Sequence, residues 1–363
     1  MASIFTKPIS AKTLKGEGPT VGLEIEAGSV AAAELNGSVN AGVQPLPAEA
    51  FRDGEIVDPE SVSEALRSLF AERKLSKRVR LGIGNQRVVA RTVRLPAIEN
   101  PAELDSAVRF AVQEQIAMPL EQAVVEHRVV GGSPGVEGGP PQIDVMVVVA
   151  RREMIAATLK PLRDAGLEPV GVDLSAFGMI RALAGAEEGT DGEGAAPDSA
   201  AATLYCSVGD VTTLAIAKGR SCLFTRVSPI GFQQTVEDLA SSTGLSTEHA
   251  RLWLSHVGLE RPLAEIEGDV STVAQARSAM ESGAATLLDE LRLSLDFYGA
   301  QEGAIAATRI VLCGHGSATA GLREQLEEGL GLPVAVGRPA ALGDLDALQA
   351  ARLTLPLGLA LES

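Results

Sequence analysis

Cysteine, histidine and aromatic residues are all scarce in this 363-residue chain, and each scarcity excludes a class of protein. The three cysteines, Cys206, Cys222 and Cys313, are odd in number, far apart and without a CxxC pair. They support neither a disulfide framework nor a cysteine zinc site, and they indicate a reducing compartment. Aromatic residues make up only 3%, so aliphatic side chains must fill the core, as in parallel sheets covered by helices.

Long hydrophobic runs and an excess of positive charge are also missing. No stretch reaches the roughly 18 consecutive apolar residues that indicate a membrane-spanning helix. The formal net charge is -16, so the surface repels phosphate backbones and a nucleic-acid partner is not expected. The first twelve residues lack the apolar core of a secretory signal. A flexible segment over residues 1–19 is favoured there over an amphipathic segment that touches lipid.

Residues that could carry catalysis or hold a metal are not grouped along the chain. Ser29 and Ser207 have no identifiable histidine base, so no hydrolase triad is predicted. His249 and His256 could share a helix face, but no cysteine or carboxylate pair accompanies them at ligand spacing. The sequence therefore identifies no catalytic residue and no metal site.

Two similar segments open the two halves of the chain. Residues 21–35 and 201–217 each contain an apolar strand, a short Gly/Ser/Asp turn and a second strand-like run, which is typical of a β-hairpin. A chain of this length needs more than one core, so duplicated lobes are predicted. Residues 186–200 are rich in Gly, Glu and Asp and contain Pro197, which indicates a linker between the lobes.

Periodicity predicts the elements that follow each hairpin. Helical spacing of apolar residues predicts helices over residues 59–75, with Asp58 as the N-cap, 100–116, 152–165, 231–256, 269–298, 319–329 and 351–361. Apolar runs predict strands over residues 142–150, 167–174, 309–313 and 333–336, and a pair of strands joined through Gly84 and Asn85 over residues 78–93. The run 142–150 is nearly all β-branched, which predicts burial on both faces. Residues 314–317, GHGS, form a glycine turn after a strand.

The order of these elements resembles the actin-like ATPase superfamily, in which a hairpin turn of each lobe faces a phosphate and a third Gly-rich turn borders the adenosine. Backbone N–H groups in such turns form anion-binding nests. The resemblance implies an α/β, ribonuclease H-like fold with two lobes. Each lobe would be a mixed sheet with helices, and the first would carry a small inserted α+β subdomain.

Longer segments resemble one branch of that superfamily, the PilM family of type IV pilus assembly proteins, which is related to FtsA. The resemblance runs from about Gly22 to Leu361. The segments that carry it are RLGIGNQRVVARTVRLPAIENPAELDSAVRFAVQEQIAMPLEQAVVEHRVV from residue 80, VVVARREMIAATLKPLRDAGLEPVGVDLSAFGMIRAL from residue 147, CLFTRVSPIG from residue 222, ELRLSLDFYGAQEG from residue 290 and LPLGLAL from residue 355.

This resemblance implies a domain plan. The first lobe would comprise residues 20–95 and 168–185, with the insert at 96–167. The second lobe core would comprise residues 201–235 and 301–363, with a helical subdomain at 236–300.

The same resemblance implies a function. A PilM-like chain is expected to be a cytoplasmic scaffold that binds the N-terminal cytoplasmic tail of a PilN-like membrane protein in a groove between the insert and the first lobe. It would link that protein to the motor, the platform and other pilus assembly proteins, and the partner would recruit it to the inner face of the cytoplasmic membrane. The implied partner-binding residues are Phe110, Gln113, Glu114 and Ile116. For Phe110 and Ile116, packing inside the insert stays equally open, whereas Gln113 and Glu114 are expected in the groove.

The resemblance also implies a cleft for ATP with Mg. The implied contacts are Glu24, Gly28, Ser29, Ser207, Gly209, Asp210, Thr212, Gly314, Gly316 and Ser317. Three departures weaken it, because Glu26 and Ala31 stand where the family has Gly and Lys, the acid of the second turn falls on Cys206 or Ser207, and His315 replaces a glycine. A carboxylate about 4 Å from a phosphate charge costs about 1 kcal/mol even in bulk water. We therefore expect a degenerate cleft and little hydrolysis, with an active Mg-ATPase or an FtsA-like membrane filament protein as the alternatives.

Overall fold

The computed structural model describes residues 18–113, 116, 118–133, 140–184 and 201–361. Its strands are β1 Val21–Glu26, β2 Ser29–Asn36, β3 Ser38–Pro45, β4 Phe51–Arg52, β5 Glu55–Ile56, β6 Arg78–Ile83, β7 Val89–Pro96, β8 Ala123–Ser133, β9 Gln142–Arg151, β10 Glu168–Leu174, β11 Ala202–Val208, β12 Thr212–Lys218, β13 Ser221–Ser228, β14 Ala307–Cys313 and β15 Val334–Val336. Its helices are α1 Pro59–Arg73, α2 Pro101–Gln113, α3 Arg152–Asp164, α4 Ser175–Leu183, α5 Phe232–Thr243, α6 Thr247–Val257, α7 Val270–Gly299, α8 Leu322–Leu330 and α9 Ala347–Ala360.

The first lobe is a five-stranded mixed sheet in the order β10-β6-β1-β2-β3. The β1–β2 pair is the hairpin predicted at 21–35, and β1 runs parallel to β6 on its other side. Helix α1 begins where predicted, because Asp58 accepts hydrogen bonds from the backbone N–H groups of Glu60 and Ser61. Its buried face joins α3 and the sheet in one apolar core.

The second lobe repeats the same plan in the order β13-β12-β11-β14-β15. Strands β11 and β12 form the second predicted hairpin, and β14 lies parallel to β11 as β6 lies parallel to β1. Helices α5, α6 and α7 enclose a separate apolar cluster. The duplication inferred from the two hairpins is therefore present as two topologically matching sheets.

A three-stranded sheet in the order β7-β9-β8 forms the insert. Its central strand β9 is buried on both faces, as predicted: Met146, Val148 and Ala150 pack into the first-lobe core, while alternate residues pack with α2. The two strands predicted over 78–93 both form, but β6 belongs to the first-lobe sheet and β7 to the insert. The insert sheet begins at Val89. Helix α3 packs into the first-lobe core, while α2 packs on the insert sheet.

Helices α4 and α9 cross closely between the two lobes. A Cβ added to Gly358 would lie 1.8 Å from the carbonyl oxygen of Gly178, so only glycine allows this approach. The end of α9 is fixed by two arginines: Arg80 Nη1 donates to the carbonyls of Leu359 and Leu361, and Arg181 Nε donates to that of Gly358. Because α9 also contacts β1 and β14, it ties both sheets together.

Two expectations of the sequence fall outside the described residues. The predicted linker at 186–200 lies there entirely, and so does the predicted flexible segment up to residue 17. Within the described ranges, no helix is long and apolar enough to cross a membrane.

Candidate functional site

The two hairpin turns face each other across a cleft between the lobes. Glu24 and Glu26 from β1 line a cavity there together with Ser207 and Asp210 from the second lobe. The cavity is about 40 Å³, and since a water needs roughly 10–15 Å³ of such space, it has room for only a few waters.

Glu26 extends from the first lobe onto the second-lobe turn. A Cβ added to Gly209 would lie 2.4 Å from Glu26 Oε1, so the carboxylate rests directly against this glycine. Glu26 Oε2 lies 3.3 Å from His315 Nδ1. Burial alone would raise the pKa of Glu26, but the neighbouring His315, Arg352 and Arg251 lower it below its usual range. Glu26 is therefore ionised at neutral pH.

Asp210 lies on the opposite side of the same histidine. Its Oδ1 is 3.9 Å from His315 Nε2 and 3.7 Å from Arg251 Nη2. Burial, and then the charge of Glu26, raise the pKa of Asp210 to about 6, although the two basic side chains oppose the shift. Burial, followed by the charges of Glu26 and Asp210, also raises the pKa of Glu24 well above its usual range. The cleft is thus crowded with carboxylates, and they disfavour one another's ionisation.

The third turn, GHGS, presents His315 to this cluster. Gly314 has φ of 77°, and a Cβ there would lie 2.7 Å from Ser207 Oγ, so the turn packs tightly on the end of β11. The His315 ring meets Phe232 edge-on, with centroids 5.6 Å apart. The hydroxyl of Ser317 donates to the carbonyl of Gly314 at 2.7 Å and closes the turn on itself.

The implied nucleotide contacts fall into separate places. Glu24, Ser207 and Asp210 share the cleft cavity, whereas Thr212 lines a second, mainly apolar cavity of about 30 Å³ beside α5 and α7. Gly28 has φ of 89° in the first turn, and Ser29 is buried at the start of β2. A Cβ added to Gly316 would lie 2.5 Å from Val208 Cγ1, so this glycine also serves close packing.

Two charged residues of the cleft carry no sequence signal. Arg251 on α6 and Arg352 on α9 both act on Glu26, and they come from elements far along the chain. Arg251 Nη2 also donates to Gln233 Oε1 at 2.6 Å, which holds the guanidinium in place. Only the three-dimensional arrangement reveals them, because neither belongs to a motif.

Glu26 brings a negative charge to the turn that the resemblance assigns to a phosphate. Its carboxylate lies against the turn whose backbone would cradle a phosphate, and two negative charges so close together would repel each other. Among the described residues no group of three or more His, Cys, Asp or Glu side chains is arranged to hold a metal ion.

Of the implied partner-binding residues, Phe110 and Gln113 lie in the last turn of α2, and Ile116 follows the helix. Phe110 is 72% exposed, whereas Ile116 packs against the apolar core of the insert. Of the two options left open for these residues, exposure holds for Phe110 and packing for Ile116. Gln113 is exposed, and Glu114 lies outside the described residues.

One protein family and several solved structures are similar to this chain. A family model described as "Type IV pilus assembly protein PilM" matches residues 38–354. Among solved structures, one described as the PilM-PilN type IV pilus biogenesis complex superposes with a TM-score of 0.77 at 24% identity, covering 94% of this chain and 98% of the other.

Two further solved structures share the fold at lower identity. The ethanolamine utilization protein EutJ from Carboxydothermus hydrogenoformans gives a TM-score of 0.53 at 14% identity, covering 98% of this chain and 92% of the other. MreB5 of Spiroplasma citri bound to ADP gives 0.51 at 12% identity, covering 93% and 94%. These likenesses confirm the actin-like fold, and since the family match extends over most of the chain, the chain belongs to the PilM family of type IV pilus assembly proteins.

Proposed function

We propose that this protein is a cytoplasmic scaffold of type IV pilus assembly that binds the N-terminal cytoplasmic tail of a PilN-like membrane protein through its insert. The observation that carries the proposal is the exposed Phe110 on α2. Two comparisons support it: the family match, and the similarity to a structure described as a PilM-PilN complex. The partner would hold the scaffold at the membrane and connect it to the motor and the platform.

The exposed face of α2 has the character of a peptide-binding surface. Glu103, Ser106, Phe110 and Gln113 are all exposed and follow one another at helical spacing. Burying one Phe side chain contributes about 1.5–3 kcal/mol, while neighbouring polar side chains can satisfy the backbone of a bound peptide. The opposite face, with Val108 and Val112, is already packed on the insert sheet, so the helix is supported from behind.

Calorimetric titration of a PilN-like N-terminal peptide into the intact protein and into Phe110→Ala tests the surface. We expect the substitution to raise the dissociation constant at least about tenfold, which corresponds to about 1.4 kcal/mol. Leu252→Ala is the matched control, because Leu252 is 62% exposed on α6, away from the insert. Equal affinities of the Phe110→Ala variant and the unsubstituted protein would exclude this face of α2 as the binding surface.

We further propose that the scaffold works without hydrolysing nucleotide. The support is the position of the Glu26 carboxylate against Gly209, in the turn that would hold a phosphate. Adding Mg-ATP is expected to release no phosphate above the level of a blank. Steady phosphate release that is lost in Asp210→Asn would instead favour the ATPase alternative.

A further inference from the structure

Glu26 joins the two lobes through side-chain contacts. It is the last residue of β1 in the first lobe, yet its carboxylate touches Gly209 and His315, which both belong to the second lobe. The side chain is 21% exposed, so it is largely withdrawn from water. A carboxylate in such a place is stable only while it is paired. Pulling the lobes apart would break this pairing.

The protonation state of Asp210 changes the strength of this contact between the lobes. Glu26 and Asp210 flank one imidazole at 3.3 and 3.9 Å. When both carboxylates are ionised they repel each other across the cleft, and one proton on Asp210 removes the repulsion while Glu26 keeps its charge. The repulsion is strong because both groups are shielded from bulk water.

The other groups that face Glu26 define how the junction responds to pH. Glu24 on β1 adds negative charge when ionised, while Arg251 on α6 and Arg352 on α9 stay positive. Burial keeps the pKa of the nearby Cys313 thiol well above its usual range, so that thiol stays neutral. In mildly acidic solution the raised pKa of Asp210 lets this group take up a proton, which removes one negative charge from the cleft.

We propose that Glu26, His315 and Asp210 form an interlobe clamp that holds the cleft closed without nucleotide and closes further in mildly acidic solution. In this clamp Glu26 supplies the anion that bridges the two lobes. Proton uptake between the carboxylates strengthens the bridge, and proton loss weakens it. The clamp does not depend on the proposed binding of a PilN-like tail.

Time-resolved energy transfer between dyes on the two lobes tests the clamp. Glu64→Cys on α1 and Glu248→Cys on α6 give exposed labelling positions, and the native cysteines are buried. We expect the ratio of closed to open molecules to rise about threefold or more from pH 8 to pH 6. Asp210→Asn should be more closed than the unsubstituted protein at pH 8, and Glu26→Gln should be more open at both values.

Glu328→Gln is the matched control, because Glu328 is exposed on α8 and outside the cleft. It should behave like the unsubstituted protein. The comparison of pH 8 with pH 6 needs no change in the clamp itself, so it stands even where a cleft variant fails to fold. The same interlobe distances at both pH values, or in Glu26→Gln and the unsubstituted protein, would overturn the clamp.

Discussion

At the scale of single residues, Glu26 sets the electrostatics of the cleft. It stands where the resemblance implies a glycine, and its carboxylate lies against Gly209 beside His315. Burial opposes its ionisation, yet its basic neighbours hold its pKa below the usual range. Burial, and then the charge of Glu26, in turn raise the pKa of Asp210 to about 6.

The raised pKa of Asp210 predicts how the free energy of unfolding depends on pH. Its folded-state pKa of about 6 exceeds its ordinary value of 3.8, so the folded state holds the proton more tightly than the unfolded state. This contribution to stability is complete below about pH 4 and is lost as pH rises through about 6. The free energy of unfolding of Asp210→Asn should therefore exceed that of the unsubstituted protein at pH 8 by on the order of 1–3 kcal/mol. This difference should shrink at pH 5.

Melting curves followed by circular dichroism from pH 5 to pH 8 provide the measurement. Asp289→Asn on the exposed face of α7 removes the same charge outside the cleft. It should shift the melting temperature little and equally at each pH. A difference between Asp210→Asn and the unsubstituted protein that stays constant across this range would contradict the account.

At the scale of elements, the crossing of α4 and α9 connects the lobes through glycine. Gly178 and Gly358 face each other so closely that the added Cβ of Gly358 would meet backbone atoms of α4 at 1.8 and 2.6 Å. Backbone cannot swing aside as a flexible side chain can. The two helices would have to separate, and α9 contacts both sheets.

Gly358→Ala is therefore expected to destabilise the protein by more than about 2 kcal/mol, as measured by urea unfolding. Gly299→Ala at the end of α7 is the control, because a Cβ there meets nothing within 4 Å. That control should be neutral or more stable by up to about 1 kcal/mol, since alanine favours a helix over glycine by about that amount. Similar unfolding midpoints for the two variants would show that the helix crossing tolerates a methyl group.

Local signals explain which elements the sequence predicted well. The hairpins, the Asp58 cap and the double burial of β9 each depend on neighbouring residues, and all three are present. Strands β6 and β7 follow each other closely along the chain yet pair in different sheets. Alternation identifies a strand but not its neighbours, so sheet membership could not be derived from it.

At the scale of the whole molecule, long-range contacts decide what the sequence could not predict. The resemblance to the family implied that one cleft contains Glu24, Ser207 and Asp210. The structure places all three around one cavity. Arg251 and Arg352 come from distant helices and were missed, although they set the charge balance around Glu26. The fold could be predicted almost entirely, whereas the electrostatics of the cleft required the coordinates of both lobes.

The interlobe cleft and the insert thus differ in character. The interlobe cleft is small, acidic and spanned by its own carboxylate, while the insert presents an exposed aromatic residue on a well-supported helix. The cleft suits two lobes that stay closed on each other, and the insert suits the binding of a partner. This contrast supports the proposal of a scaffold whose binding of a partner does not depend on nucleotide.

Calorimetric titration of a PilN-like N-terminal peptide into the intact protein, with and without Mg-ATP, tests that claim most directly. We predict saturable binding with the same dissociation constant, within about twofold, in both conditions. Phe110→Ala should weaken the binding in both conditions alike. Absence of binding up to high micromolar peptide, or binding that appears only when Mg-ATP is present, would contradict the account.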